Sequence, residues 1–167
     1  MKNLFFLSLG LFLFTTACEV DPDIDIIRTT TVDLISPDHV DALSDVLIMP
    51  QGAVKLDGPV YPTSNGDEPT ITSPEYFVLS ANGATTPIQL TYSHALPRLG
   101  GFYVQVKGAS SYYKIPYKGQ PSAAGEITIP IGIPSIVDQG EFCISFYVYD
   151  VANEVSEATI TCISVIR

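Results

Sequence analysis

The residues of this chain that could do chemistry are few: two histidines, three cysteines and eighteen acids, set against eight bases. A serine nucleophile would have to use His39 or His94 as its base, because a hydroxyl is activated only by an imidazole within hydrogen-bond reach. Ser93 adjoins His94, but neighbours along a strand point to opposite faces, so the two do not make a nucleophile and its base. Asp21, Asp23 and Asp25 alternate as at the start of a calcium loop. Ile26, however, stands where that loop turns on glycine, and Val32 where it closes with a bidentate glutamate. Asp38, Asp41 and Asp45 beside His39 would share one helical face. They read as a hydrated acidic surface, since flexible carboxylates without supporting partners hold metals poorly. No G-x-S-x-G, H-E-x-x-H, phosphate-binding glycine loop or C-x-x-C occurs in the chain. The reading is a non-enzyme with no catalytic residue, no metal site and no cofactor.

The cysteines pose a different question, because three thiols are an odd number for an exported chain. Lys2, the apolar run from Leu4 to Phe14 and the small residues before Cys18 follow the pattern of a secretory signal. That run would reach only about 16 Å as a helix, about half the hydrocarbon thickness, so it is a targeting segment rather than a span. Thr15-Thr16-Ala17-Cys18 resembles the lipobox of bacterial lipoproteins. The resemblance implies removal of residues 1–17, a thioether-linked diacylglycerol on Cys18 and attachment to a membrane. Cleavage after Ala17 by an ordinary signal peptidase, leaving a free thiol, is the alternative. Each buried methylene contributes ~0.8 kcal/mol, so two or three acyl chains would hold the protein stably where one would not.

Charge is unevenly placed. From Glu19 to Glu75 twelve acids face Arg28 and Lys55, whereas from Tyr76 to Arg167 six acids face five bases. Such a balance lacks the basic footprint that nucleic acid requires. It also gives nothing to attract anionic head groups, so a lipid on Cys18 would have to do the anchoring. Glu-Val-Asp-Pro-Asp-Ile-Asp, directly after Cys18, is similar to the acidic stretch that sends Bacteroidetes lipoproteins to the cell surface. The expected location is therefore the outer membrane, facing outward, with its periplasmic face as the alternative and the acidic stretch also serving as a self-repelling tether.

The elements that must position any site are mostly strands. From Tyr76 onward, short apolar and β-branched runs recur between Gly, Pro and Asn. Seven strands are expected, near 76–80, 87–93, 102–107, 112–117, 126–131, 141–150 and 155–166. Phe102, Val104 and Val106 alternate with Tyr103, Gln105 and Lys107, and Ile144, Phe146 and Val148 alternate with Ser145, Tyr147 and Tyr149. Each of these strands has one apolar side, as two packed sheets demand. The stretch YVYDVANEVSEATITCISV, residues 147–165, resembles the last hairpin of immunoglobulin-like or fibronectin type III-like domains, with Asp150, Asn153 and Ser156 in matching places; EPTITSP at 68–74 is similar to their opening strand. The implied fold is an all-β, immunoglobulin-like antiparallel β-sandwich of about seven strands over residues 67–167.

Residues 18–66 form the acidic, partly ordered segment ahead of it. Within them Ile24, Ile26, Val32 and Leu34 share a strand parity. Ser36-Pro37-Asp38 reads as a helix start, and Val40, Leu43 and Leu47 at helical spacing predict about ten helical residues before Pro50. Pro and Gly from 50 to 69 return the chain to loop.

Cys143 and Cys162 turn on the register of the last hairpin. Pairs whose numbers sum to 305 set the two cysteines opposite each other, within reach of a disulfide. A sum of 306 pairs Ile144 with Cys162, Phe146 with Ile160 and Val148 with Ala158, a more apolar face. A one-residue slip flips every side chain. The apolar match with two free thiols is preferred, and the disulfide is the alternative.

The candidate binding face is aromatic. Tyr103, Tyr147 and Tyr149 would share the outer face of adjacent strands, with Tyr112, Tyr113 and Tyr117 in the next segment. Tyrosine suits recognition because a rigid ring carries a polar hydroxyl, although cross-strand aromatic pairs also stabilise sheets on their own. The expected role is a non-catalytic binding or adhesion module. Its partners would be the membrane, through Cys18, and an envelope protein, with a glycan as the alternative ligand and an accessory subunit of an outer-membrane assembly as the alternative role. Cys18→Ser should abolish incorporation of labelled palmitate and release the chain from membranes; labelling that persists would defeat the lipid assignment.

Overall fold

The structure, a computed structural model, describes residues 39–167. The signal segment, Cys18, the acidic tether, the parity set from Ile24 to Leu34 and the Ser36-Pro37-Asp38 start lie outside the described residues. The chain forms α1 (Val40–Val46), β1 (Val54–Asp57), β2 (Thr70–Thr72), β3 (Tyr76–Ser80), β4 (Thr85–Ser93), β5 (Leu99–Val106), β6 (Ser111–Pro116), β7 (Ala124–Gly132), β8 (Gly140–Asp150) and β9 (Thr159–Ile166). All seven expected strands form, and β2 lies in the EPTITSP stretch. β1 arises in a segment that reads as loop.

The strands make two sheets, one of six in the order β1-β6-β5-β8-β9-β3 and one of three in the order β2-β4-β7. The chain crosses between sheets at every connection from β1 to β5 and again from β6 to β7 and from β7 to β8, with the split first strand lying in both sheets as β2 and β3. This is an all-β sandwich with the Greek-key connectivity of immunoglobulin-like domains. The side chains that alternate inward fill one core: Ile88 and Leu90 from β4, Ile129 and Ile131 from β7, Phe102 and Val104 from β5, Ile144 and Phe146 from β8. Each such burial contributes about 1.5–3 kcal/mol.

Helix α1 belongs to the same core. Leu43 and Leu47, ahead of the residue 67 boundary drawn for the sandwich, are buried in it. The helix has seven residues and no side-chain cap at His39. Instead, Asp41 Oδ1 accepts the backbone N–H of Ser110 at 2.6 Å and its hydroxyl at 3.0 Å. Asp45 pairs with Lys55. These two acids therefore serve packing contacts. The helix closes the sandwich between β6, through Tyr113 OH to Ser44 O at 2.7 Å, and β7, through the paired backbones of Ile48 and Gly132.

The last hairpin corrects the preferred register. β8 and β9 pair with a sum of 305, so that Cys143 faces Cys162 and Phe146 faces Thr159. The two cysteines are bonded, with Cα atoms 4.0 Å apart. Two features outweigh the apolar match near Ile160. Farther along β9, Ile163 and Val165 share the parity of Thr161 and enter the core, where the other register would place Ser164. Thr161 itself is fully buried, but its hydroxyl is satisfied by Pro74 O at 2.7 Å and Ser73 Oγ at 2.8 Å. Ile160 is left 42% exposed. The 305 register does not extend to a pair of Val148 with Glu157, because the ladder ends at Phe146 and Val148 N–H bonds Ser156 Oγ at 3.0 Å.

Phe146→Ala should cost about 3–5 kcal/mol in urea unfolding. Replacing both Cys143 and Cys162 with Ala should cost about 3 kcal/mol by releasing the closed loop. A double variant as stable as the parent would show that the disulfide contributes nothing.

Candidate functional site

Tyr103 and Tyr147 are direct cross-strand partners on the outer face of β5 and β8. Tyr149 joins them, stacked on Tyr103 at 4.6 Å between ring centroids, and Tyr112 meets Tyr103 edge-on at 5.2 Å. The Lys114 ammonium lies 4.8 Å from the Tyr149 ring centre, a cation held against the electron-rich ring face. Gly101 permits this stack. Its φ is +156°, and a Cβ there would strike Tyr149 and the Ile115 carbonyl.

The face is not open, which corrects the expectation of a tyrosine binding platform. Residues 58–66 run across it as a strap. Gly58 turns the chain back after β1 with φ +97° and bonds Ser110 O at 2.7 Å. Thr63 N–H donates to Val155 O at 2.9 Å, and Val155 N–H donates to Thr63 Oγ1 at 2.9 Å. Val60 and Val155 thereby seal the rings, leaving Tyr103 and Tyr147 8% and Tyr149 5% exposed. Tyr112 is half-buried at the margin. Tyr113 and Tyr117 pack against the main core on the other side; for Tyr113 this follows from alternation with Tyr112 along β6.

Burial disfavours the phenolate. Tyr149 is pushed up to about 12, first by desolvation and then by Tyr103. Tyr103 rises through desolvation and Tyr112, and Tyr147 through desolvation offset in part by the Ser145 hydrogen bond.

The other concentration of polar atoms lies where β4, β6 and β8 end. Strand directions bring the loops 94–98, 117–123 and 151–158 to this one end of the sandwich. Asp150, 1% exposed, organises it. Its Oδ1 accepts the N–H of Ala152 at 2.8 Å and of Glu154 at 2.9 Å, closing the turn in which Asn153 takes φ 64°. Its Oδ2 lies 3.1 Å from Arg98 Nη2 and 3.8 Å from His94 Nε2. His94 Nδ1 is 2.8 Å from the N–H of Leu96, which donates to it, so His94 is a strand-end residue bonded to its own loop. Asp150 thus fastens two loops together, and two apolar side chains project from them: Leu96, 49% exposed, and Val151, 63% exposed. Sequence reasoning missed Arg98, Leu96, Val151 and the strap. The one visible signal was an acid closing an otherwise apolar strand, Tyr147-Val148-Tyr149-Asp150.

No protein-family model matches the chain, and no curated protein matches it. Several solved structures are similar at low identity. The chain is similar to a SrpA adhesin mutant from Streptococcus sanguinis at 11% identity and TM-score 0.44, over 62% of this chain and 60% of that one. It is similar to the PKD domain of an M14-like peptidase from a Thermoplasmatales archaeon at 12% identity and TM-score 0.38, over 60% and 94%. It is also similar to a chain of a type I cohesin–dockerin complex from Clostridium thermocellum at 11% identity and TM-score 0.35, over 64% and 100%. The match thus spans about three fifths of the SrpA chain.

Two measurements test this geometry. Unfolded tyrosine ionises near pH 10, whereas folded Tyr149 holds its proton to about 12. The stability from its burial is therefore complete below pH 10 and is lost as pH rises from there toward 12; Tyr149→Phe should flatten that alkaline loss in urea titrations. Asp150→Ala should cost about 3 kcal/mol, since it leaves Arg98 without its partner and opens the turn. A loss under about 0.5 kcal/mol would deny Asp150 its organising role.

Proposed function

We propose that this chain is a lipid-anchored cell-envelope protein that acts as a non-catalytic binding or adhesion module. In this reading Cys18 carries the lipid, Glu19 to Asp25 form the tether and outward-export stretch, and the protein stands on the outer face of the outer membrane. The working surface is the loop end bearing Leu96 and Val151. One observation carries the assignment of surface. The described chain enters at His39 and Val40, beside the β5–β6 connection at Gly108 and Ser110, whereas loops 94–98, 117–123 and 151–158 lie at the opposite end of β5. Eight residues of strand put about 25 Å between the two ends. A tether that left the domain where the described residues begin would leave the other end pointing away from the anchor. Exposed apolar side chains on loops held by a rigid scaffold are a usual recognition arrangement.

Native protein purified in mild detergent should bring a partner with it. Leu96→Asp with Val151→Asp should reduce that recovery at least tenfold while the melting temperature stays within about 2 °C. Thr91→Asp, on the outer face of β4, should leave recovery unchanged. Equal recovery from all three would remove the loop end as the working surface. Serine replacements of Tyr103, Tyr147 and Tyr149 are unsuited to this question, because those rings are buried and their loss would unfold the sheet.

A further inference from the structure

Each edge of a sheet offers unpaired N–H and C=O groups, and proteins usually blunt such edges with charge, proline, shortness or cover. Three of the four edges here are treated in that way. β1 carries Lys55 and Asp57. β2 has three residues and lies between Pro69 and Pro74. β7 contains Pro130, and Ile48 pairs with its end at Gly132. β3 is the least defended: Pro74 and Glu75 lie just ahead of it, but none of these devices falls within its five residues. Tyr76-Phe77-Val78-Leu79-Ser80 carries no charge and no proline, and its ladder with β9 is regular. Among the described residues nothing pairs with its outer edge.

The open groups can be placed by parity. Cys162 N–H bonds Glu75 O at 2.9 Å and Ala81 N–H bonds Ile166 O at 2.8 Å, so the odd-numbered residues of β3 bond to β9. In a parallel ladder the even-numbered residues, Tyr76, Val78 and Ser80, then turn their N–H and C=O outward. Tyr76 is also 52% and Val78 49% exposed on the outer face.

We propose that β3 pairs antiparallel with β3 of a second copy of this chain, about a two-fold axis at Val78, joining two six-stranded sheets. Self-complementarity selects this occupant. With Val78 on the axis, Tyr76 faces Ser80 of the partner. Tyr76 and Val78 turn both donor and acceptor inward to the pair and Ser80 its N–H, while the Ser80 carbonyl already accepts the Asn82 N–H at 2.9 Å. The contact is therefore isologous and centred on Val78. Val78 meets Val78, while each Tyr76 ring leans back across β9, its hydroxyl donating to Glu141 Oε1 at 3.4 Å, and leaves room for the partner's Ser80. Charge is compatible as well. Glu75 falls opposite Ala81, and the two copies of Glu75 stand about 20 Å apart along the strands. A five-residue edge covers less than the roughly 800 Å² per partner of a standard stable interface, and each chain is acidic. The dimer is therefore weak and depends on concentration and salt.

The test uses the full chain in mild detergent, with Cys18→Ser so that the bonded Cys143 and Cys162 are its other cysteines. Val78→Cys should give a covalent dimer on mild oxidation at least tenfold faster than Thr91→Cys, which sits on the outer face of the small sheet. Without the added cysteine, sedimentation should show association that rises with concentration, and Val78→Lys should weaken it at least tenfold without changing the circular dichroism spectrum. Cross-linking no faster than at Thr91, or association untouched by Val78→Lys, overturns the proposal. So does protection of the Tyr76 and Val78 amides from hydrogen exchange that is independent of protein concentration, since a segment of the same chain would then cover the edge.

Discussion

The β5–β8 pair is dry on both faces, and most of the architecture follows from that constraint. On the inner face Phe102, Val104, Phe146 and Val148 meet the small sheet; on the outer face Tyr103, Tyr147 and Tyr149 are buried almost as deeply. A sheet that is antiparallel except at its β9–β3 edge commonly leaves one face to water. Three adjacent rings are too much apolar area to leave open on the two central strands. The chain answers with the strap, whose Val60 and Thr63 contacts require β1 to run along β6 and the chain to reverse at Gly58. The residues ahead of β2 are thus part of the fold, with α1 against one face of the core and the strap against the outer face of the large sheet.

The loop end is governed by a different balance. A buried carboxylate is costly unless its lone pairs are met. Asp150 meets part of the cost through two backbone N–H donors on Oδ1. Oδ2 takes no hydrogen bond and is balanced by the charge of the Arg98 guanidinium 3.1 Å away, with His94 alongside. Because 94–98 is the crossover between the two sheets and 151–158 is the hairpin loop of one of them, the interaction joins the sheets at that end as the core joins them in the middle. The exposed Leu96 and Val151 consequently project from fastened loops, which lowers the ordering cost of any contact they make.

How much of this was legible in the sequence differs by length scale. Alternation of Phe102, Val104 and Val106, and of Ile144, Phe146 and Val148, located the core strands because that pattern is local. The hairpin register was not decided by its nearest pairs. Ile160 and Cys162 looked like better core residues than Thr161, and only Ile163, Val165 and the distant Ser73 and Pro74 reverse the preference. The cover on the tyrosines was illegible for a related reason. Residues 58–66 read as Gly- and Pro-rich loop, and nothing local shows that Val60 and Thr63 lie against residues some ninety positions later, as the bond between Thr63 and Val155 does. Arg98 and Asp150, 52 positions apart in the chain, belong to the same class of contact.

The outer face of the large sheet is consequently divided. Toward β6 it is sealed by the strap; toward β3 it is open, with Tyr76, Val78, Ile160 and Ile166 each at least 42% exposed. The Cys143–Cys162 bond stands at the boundary between the two halves, on the same face. Its position has a mechanical consequence, because among the described residues β3 pairs with β9 alone, and β9 is fastened covalently to β8 near the centre of the sheet. An edge strand held by one parallel ladder alone would be the first to fray. With β9 pinned to β8, and with Thr161 bonded to Ser73 and Pro74 just ahead of β3, the edge keeps its extended shape, and its outward N–H and C=O groups stay aligned as a row.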